Sequence, residues 1–474
     1  MSGIAALIDV EEDSMLEIML GKIRHRGLEG EEIYRNGRVQ LGEVNFESED
    51  TSSGLHKSYG VLLDGEPRKK GKTMGKKELL GMYLDKGPDF VREVEGRFAV
   101  IISGGQELFA ARDVLGIKPL YYLHKKDKWY FASEIKALVD AGEEVEEFPP
   151  GHYFYKGKMH RFGDIPRVIP TYEKTLEESI EELRELLLEA VREAVDIPLK
   201  TGTFLSGGVD SSIIALLASR YLMKEVPVFV AGMEGSPDLE KARSVAEYLG
   251  LELVEHVYTP AEMWKILPEV IYHLESFDVE LVNSSIANYF ASRLARSHGV
   301  KVILSGEGAD ELFGGYHYLK KYRNNADFAT RLEELLRGMH NGGFQRVDRM
   351  SKAHTLEVEM PFMHPAMVKY AAQLPPGWKI SSQEMGKWIL RLSFDGELPE
   401  NVLWRRKEQF GIGSGTEEQM RNFVAEQVPE EEFERALKND LPFDFKSRDE
   451  YCYYRVFEKF YPSRLARGVN RWLV

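Results

Sequence analysis

Ser206-Gly207-Gly208-Val209-Asp210-Ser211-Ser212 follows the apolar run Thr201-Gly202-Thr203-Phe204-Leu205 and opens a helical pattern from Ser211 to Leu222. Strand, glycine-rich turn and helix therefore meet within a few residues. A glycine pair lets the backbone approach an anion closely, and hydroxyls and helix N-terminal amides donate hydrogen bonds to it. The spacing is not that of the GxxxxGK[ST] loop, which also needs a lysine. A plain Gly-Ser turn is the alternative, and SGGxDSS at a strand-to-helix junction weighs against it. Working outward, residues 226–233 (VPVFVAGM), 251–258 (LELVEHVY) and 300–304 (VKVIL) read as continuous apolar strands. A helix from Leu239 to Leu249 lies between the first two. Such alternation implies a parallel sheet covered on both faces. Upstream, Thr175 and Glu178 form a capping box for the amphipathic run 176–195, and the chain after Tyr316 is mostly helical by periodicity.

The N-terminal third has a different texture. Residues 3–10, 58–65, 97–105, 107–114, 118–126 and 128–134 are short apolar or alternating runs separated by Gly, Asp and Lys turns. Helical segments fall at Asp13 to Ile23 and Lys76 to Asp85, which predicts layers of helix and antiparallel strand. Residues 156–174, with Pro166 and Pro170, read as an irregular linker.

At 474 residues the chain exceeds what one hydrophobic core serves, so at least two domains are expected. Apolar residues at 43% and aromatics at 11% exclude a mostly disordered chain. A net charge of −15 disfavours a broad nucleic-acid surface. The single cysteine, Cys452, allows neither an intrachain disulfide nor a CxxC metal cluster. The N-terminus lacks the features of a signal peptide, and no apolar run reaches the roughly 18 residues a bilayer span needs. A cytoplasmic protein without membrane contact is the expectation.

A second signal is Ser305-Gly306-Glu307-Gly308-Ala309-Asp310-Glu311, directly after the strand at 300–304. In an open parallel sheet the ligand crevice lies at the strand C-termini, so this loop and Ser206–Ser212 can face one site. Asp210 and Asp310 then supply two carboxylates able to hold Mg²⁺ against a polyphosphate. Glu307, between glycines, can reach a reacting group as general base. Asp310 and Glu311 fit a helix N-terminal charge pair equally well, and the two roles are compatible. A third signal is Arg405-Arg406-Lys407-Glu408-Gln409-Phe410, where a cation can neutralise a leaving pyrophosphate or stand as a silent solvated segment.

In this order, SGGVDSS (206–212), VAGMEGSPDL (230–239), VIYHLESFDV (270–279), SGEGADELFGGY (305–316), DRMSKAHTLEVEMPF (348–362) and RRKEQF (405–410) resemble the synthetase half of glutamine-dependent asparagine synthetases of the B type. The N-terminal part is similar to the same family through MSGI (1–4), Arg24-His25-Arg26-Gly27, ARDVLGIKPLYY (111–122), FASEIKAL (131–138) and FPPGHY (148–153). The resemblance implies two domains. Residues 1–160 would be an N-terminal-nucleophile (Ntn) αββα sandwich of the glutamine amidotransferase kind. Residues 171–474 would be a PP-loop ATP-pyrophosphatase α/β domain with a helical C-terminal part.

The resemblance further implies a ligase that uses ATP and Mg²⁺ to adenylate a carboxylate and then amidates it with ammonia or an amine. Ser206 to Ser212 would hold pyrophosphate, Asp210 and Asp310 the metal, and Leu205, Ala231, Ser305 and Gly306 the adenosine. Glu307 matches the base of the amide-forming step, Glu357 a second carboxylate, and Lys407 the cation on the phosphates. The glutaminase half departs from the family. Its nucleophilic cysteine is Ser2, whose alkoxide is far harder to form than a thiolate. Asn45 stands where the family has an Arg for the glutamine carboxylate. Asp64, in Asp64-Gly65-Glu66, stands where it has the oxyanion-hole Asn, and Glu95 where it has Asp. Little or no glutaminase activity is expected.

The acceptor pocket departs too. After Phe277-Asp278-Val279 the family reads TTIRAST, whereas this chain reads Glu280-Leu281-Val282-Asn283-Ser284-Ser285-Ile286. Loss of that Arg removes a charge-assisted interaction of about 1.5–3 kcal/mol. Glu280 would repel an acidic substrate and favour one carrying an amine, unless Arg293 or Lys352 replaces the clamp. Glu359 likewise replaces an Arg of the family's LExR pattern. Aspartate is the acceptor by resemblance, with another carboxylic acid as the alternative. An internal amide former similar to β-lactam synthetase is a further reading, against which Glu307 stands where those enzymes have Tyr. A non-catalytic ATP-binding regulator has no need of Asp210, Asp310, Glu307 and Lys407 together. A PP-loop tRNA-modifying enzyme is disfavoured by the acidic balance. Retention of the N-terminal domain fits covering of the synthetase cleft or a homodimer interface.

Overall fold

The computed structural model describes residues 2–10, 14–45, 55–56, 59–104, 107–142, 144–171, 173–196, 199–222, 226–323, 327–405, 410–438 and 444–467. The chain divides into two compact units, one built on Met1–Ile165 and the other on Pro166–Asn439. A C-terminal stretch that begins at Tyr454 groups with the first.

The first unit contains two antiparallel sheets, and strand alternation explains its layering. On β1 (Ser2–Ile8), Ala5 and Leu7 pack with Leu16, Met19 and Leu20 of helix α1 (Met15–Lys22). Ile4 and Ala6 face the other way, into a core with Leu41, Leu62, Ala99 and Ile101. Leu41 belongs to β2 (Val39–Asn45) in the sheet of β1, whereas Leu62 and Ile101 belong to β3 (Tyr59–Lys69) and β4 (Glu95–Gly104) of the second sheet. The outer face of that second sheet, through Val61, Leu63, Val100 and Ile102, covers Leu79 and Leu80 of α2 (Lys76–Lys86). Helix, sheet, sheet and helix follow in order, as the αββα expectation required. The stretch read as an irregular linker is corrected at its start. His152–Tyr155 and Lys158–Arg161 form a hairpin whose turn residues Lys156 and Gly157 both have positive φ, +49° and +76°.

The second unit is organised on a parallel sheet. Its strands are β5 (Thr201–Phe204), β6 (Val228–Met233), β7 (Leu253–Tyr258), β8 (Val302–Leu304) and β9 (Glu357–Glu359), in spatial order β7-β6-β5-β8-β9. The chain runs outward from β5 to one edge, then returns to lay β8 on the other side of β5. The order therefore reverses between β5 and β8, and a crevice opens at their C-terminal ends. The helix α3 (Leu176–Val195) has the capping box read from Thr175 and Glu178. α4 (Val209–Tyr221) follows β5 and is buried along most of its length, through Ile213, Ile214, Leu216 and Leu217 among others. α5 (Val279–Ser297) packs over β6, and α6 (Ala309–Phe313) and α7 (Gly343–Lys352) follow β8. Among the described residues no helix is long and apolar enough to cross a membrane.

Candidate active site

The turn after β5 is held by its own atoms. Gly207 has φ +63°, and a Cβ there would lie 2.3 Å from the Lys241 Cβ, so only glycine fits. Ser211 Oγ accepts from the Ser206 amide at 3.2 Å and donates to the Gly208 carbonyl at 3.2 Å. Gly208 caps α4, which points the first amides of that helix at the crevice. The turn after β8 packs directly onto this one. A Cβ on Gly306 would come within 2.8 Å of the Asp210 Cβ and 2.9 Å of the Ser211 nitrogen.

Between the two turns sits Lys387. Its Nζ lies 2.5 Å from Asp210 Oδ2 and 2.7 Å from Asp310 Oδ1, and its side chain is 1% exposed. Asp210 Oδ1 is buried without a hydrogen-bond partner. Next to Asp310, burial and the neighbouring carboxylates of Asp310 and Glu307 push Glu311 up to about 7, and Tyr316 donates to it at 2.6 Å. Arg405 Nη1 donates to the Gly207 carbonyl at 3.2 Å.

Asp210, Gly306, Asp310, Tyr316, Lys387 and Arg405 line one cavity of about 240 Å³. Its wall includes Phe204, Leu205, Phe229, Val230 and Ala231 from the ends of β5 and β6, and Ser305, Gly306, Glu307 and Asp310 from the turn after β8. Glu280, Ser284, Asn288 and Ala291, spaced four, four and three residues apart, line it from one face of α5. Glu307 is ion-paired with Arg346 of α7, and Gly343 makes room for it, since a Cβ there would fall 2.1 Å from Glu307 Oε1. Asn283 Oδ1 accepts from the buried Tyr453 hydroxyl at 2.6 Å. Burial, with Asp278 and Glu417 nearby, holds Glu280 above the usual carboxylate range.

The asparagine synthase family model matches residues 182–345 and 335–473, and a glutamine amidotransferase model matches residues 66–140. A glutamine-hydrolysing asparagine synthetase of Zea mays is 32% identical over 520 residues, covering 100% of this chain and 88% of that protein. A probable glutamine-hydrolysing asparagine synthetase of Dictyostelium discoideum is 31% identical, covering 100% and 96%. The chain belongs to the asparagine synthetase family. It is accordingly an ATP-dependent, AMP-forming carbon–nitrogen ligase.

Within this family member the expected synthetase residues Leu205, Ser206, Gly208, Asp210, Ser211, Ala231, Glu280, Asn283, Ser305, Gly306, Glu307 and Asp310 all line the cavity. Gly207 lies in the turn that precedes α4, and Ser212 in the first turn of that helix, fully buried. Glu357 is elsewhere: it sits on β9, bound at 2.6 Å to Lys352 Nζ, both fully buried and neither lining the cavity. Lys407 falls outside the described residues. Arg293 and Lys352, expected as replacement clamps, are corrected by the geometry. Arg293 is two residues beyond Ala291, turned off the lining face, and lies over the Phe290 ring at 4.9 Å. Arg346 is the guanidinium beside Glu307 instead. Arg346 and Lys387 escaped the sequence reading, although the glycine pair Gly342-Gly343 opening α7 was a signal for the first.

In the first unit Ser2 is 1% exposed. Its Oγ lies 2.6 Å from Glu43 Oε1 and 2.8 Å from the Leu63 carbonyl, and its nitrogen 3.3 Å from Asp64 Oδ1. Burial raises Glu43 above its usual range, against the opposing pull of Lys76 at 2.9 Å. Asp64 is ion-paired with Arg26 at 3.0 Å and Lys118 at 3.5 Å, and Arg26 also holds Glu134 at 2.8 Å. The expected negative group beside Ser2 is therefore present but neutralised. Gly65 has φ +107° and is pressed against the Arg97 carbonyl, and Glu66 pairs with Arg97 at 3.5 Å. Asn45 donates to Glu32 at 3.1 Å, and Glu95 is exposed. The amidotransferase match begins at residue 66 and leaves out Ser2, Asn45 and Asp64.

Proposed function

We propose that the chain condenses a carboxylate with free ammonia or an amine at the β5–β8 crevice, with ATP as the activating substrate and aspartate as the first acceptor to test. The observation that carries this is the packing of Gly306 on Asp210 and Ser211, which joins an anion-binding turn to a second acidic turn.

The triphosphate would lie over Ser206–Ser212, its charge met by the α4 amides, Lys387 and Arg405. Asp210 and Asp310 fit Mg²⁺: a buried, unpartnered carboxylate oxygen and a second carboxylate are what that ion takes when phosphate oxygens and water complete its shell. Among the described residues no group of three or more acidic, His or Cys side chains is placed to hold a metal alone, which suits a cation that arrives with its nucleotide. When bound, the cation neutralises charge on the leaving pyrophosphate.

A substrate carboxylate oxygen attacks the α-phosphorus, the α–β phosphoanhydride breaks, and pyrophosphate leaves. The nitrogen nucleophile then attacks the acyl carbon and AMP departs. The attacking nitrogen must lose a proton, and Glu307, on the cavity wall, would take it. Arg346 orients Glu307 and presents a cation to the acceptor. With Ser2 bonded and buried, ammonia comes from outside the glutaminase site. The cytoplasm is the compartment that suits this chemistry.

Glu280 on the cavity wall favours a second acceptor class, carboxylates that also carry an ammonium group in reach of it. ATP–pyrophosphate exchange across a panel of amino acids and amino-carboxylates, with a parallel glutaminase assay, tests both. Exchange with any member supports the reading, and its absence across the panel refutes it.

A further inference from the structure

Asn288 is the odd residue of the cavity wall. It is 4% exposed, on α5, between Ser284 and Ala291 on the lining face. Its Nδ2 donates to Ser292 Oγ at 3.4 Å, one turn on along the same helix, while its Oδ1 is buried with no hydrogen-bond partner. A buried amide carbonyl without a donor is rare in a folded protein, because it has given up water and gained nothing.

The surroundings say what donor is missing. Asn288 lies eight residues, about 12 Å of helix rise, from Glu280. Its helix packs over β6, and the ends of β5 and β6 line the cavity with Phe204, Leu205, Phe229, Val230 and Ala231. The charged residues Asp210, Asp310, Lys387 and Arg405 gather at the turns after β5 and β8. A ligand that spans the cavity therefore places an apolar, flat group beside Asn288 and its phosphates at the turns. For a purine nucleotide that group is the base, and the 6-amino group of adenine is the donor an orphan carbonyl accepts from. A 6-oxo purine would set one acceptor against another.

We propose that Asn288 reads the adenine 6-amino group and selects ATP over 6-oxo and 6-unsubstituted purine triphosphates. The inference rests on the nucleotide site described above and adds the residue that sets base identity.

Calorimetric titration of the full chain with Mg²⁺ and each of ATP, ITP and purine riboside triphosphate tests it. Wild type is expected to bind ATP at least about tenfold more tightly than either analogue, the scale of one buried hydrogen bond. Asn288→Leu is expected to compress those differences to within about threefold. Asn288→Asp, which keeps an acceptor in the same volume, is expected to retain rejection of ITP and shows that the site still folds. Equal binding of the three nucleotides by wild type, or undiminished discrimination in Asn288→Leu, overturns the assignment while leaving ATP use intact. Failure of wild type to bind ATP overturns the nucleotide site itself.

Discussion

Gly306 and Asp210, from turns that follow two different strands, approach so closely that a single added methyl on Gly306 would sit 2.8 Å from the Asp210 Cβ. That distance is closer than carbon atoms pack without one of them moving, and the neighbours are backbone and Cβ atoms that cannot swing aside. Gly306→Ala should therefore part the two turns. Pyrophosphate exchange is expected to fall about 100-fold, the cost of misplacing reacting groups by about 1 Å, with the circular-dichroism spectrum unchanged. Exchange within a few-fold of wild type would show that the two turns do not act as one site.

Lys387 holds two carboxylates apart from each other's charge. Truncation to Met removes the ammonium that touches both Asp210 and Asp310, which is expected to destabilise the chain by about 2–4 kcal/mol. Millimolar Mg²⁺ should recover part of that loss, because a divalent ion can serve the same two oxygens. Thermal melts of Lys387→Met with and without Mg²⁺ check this, and a melting temperature indifferent to the ion would count against metal binding there.

Ser2→Cys should not create a glutaminase. The side chain is sealed among Glu43, Leu63 and Asp64, and the charges of Asp64 and Glu134 are already satisfied by Arg26 and Lys118. Glutamate release from glutamine is expected to stay at background in that variant. Asp64→Asn, which takes a buried carboxylate from both Arg26 and Lys118, should lower stability by about 3 kcal/mol in chemical denaturation.

Glu280 is placed to discourage a second substrate carboxylate. Its carboxylate is only partly withdrawn from water, which keeps the effect small, so Glu280→Gln is expected to lower KM for aspartate about threefold with kcat unchanged. A rise in KM would mean that Glu280 instead holds the acceptor's ammonium group.

The pH dependence of stability should carry the mark of Lys379. This side chain is buried, donates to the Leu312 carbonyl of α6 at 2.7 Å, and is pushed down to about 7 by loss of water. An unfolded lysine titrates near 10.4, so between those values the unfolded chain binds more protons and stability rises with pH. Below about pH 7 the cost of burying the ammonium is present in full. Lys379→Met should flatten the rise between pH 7 and 10, by about 3–5 kcal/mol at most, in denaturation followed across that range.

The parts of this molecule written in local pattern were open to reading from the sequence. Thr175 and Glu178 cap a helix by contacts three residues apart, and the Ser206–Ser212 turn needs only its own glycines and hydroxyls. The crevice followed from the alternation of apolar strands and helices. Lys387 and Arg346 were hidden because each is a lone cation whose meaning comes from carboxylates 177 and 39 residues away. Glu357 looked like a site residue within its motif, yet Lys352 claims its carboxylate in the core. The hairpin at Lys156-Gly157 carried neither of the usual Asn-Gly or Asp-Gly turn pairs, so it read as linker.

The two inner sheets of the first unit are greasy on both faces, which has a consequence for how they find their alignment. Sliding β1 one residue along β2 would exchange Ile4 and Ala6 for Ala5 and Leu7, a trade that hydrophobic burial scarcely notices. The ionic lattice notices at once. Ser2 meets Glu43, and Arg26 spans from Asp64 on one sheet to Glu134 beside the other, only when every strand is in step. Ser2, Arg26, Glu43, Asp64 and Glu134 thus act as a vernier, locking apolar ribbons that would otherwise be free to slip.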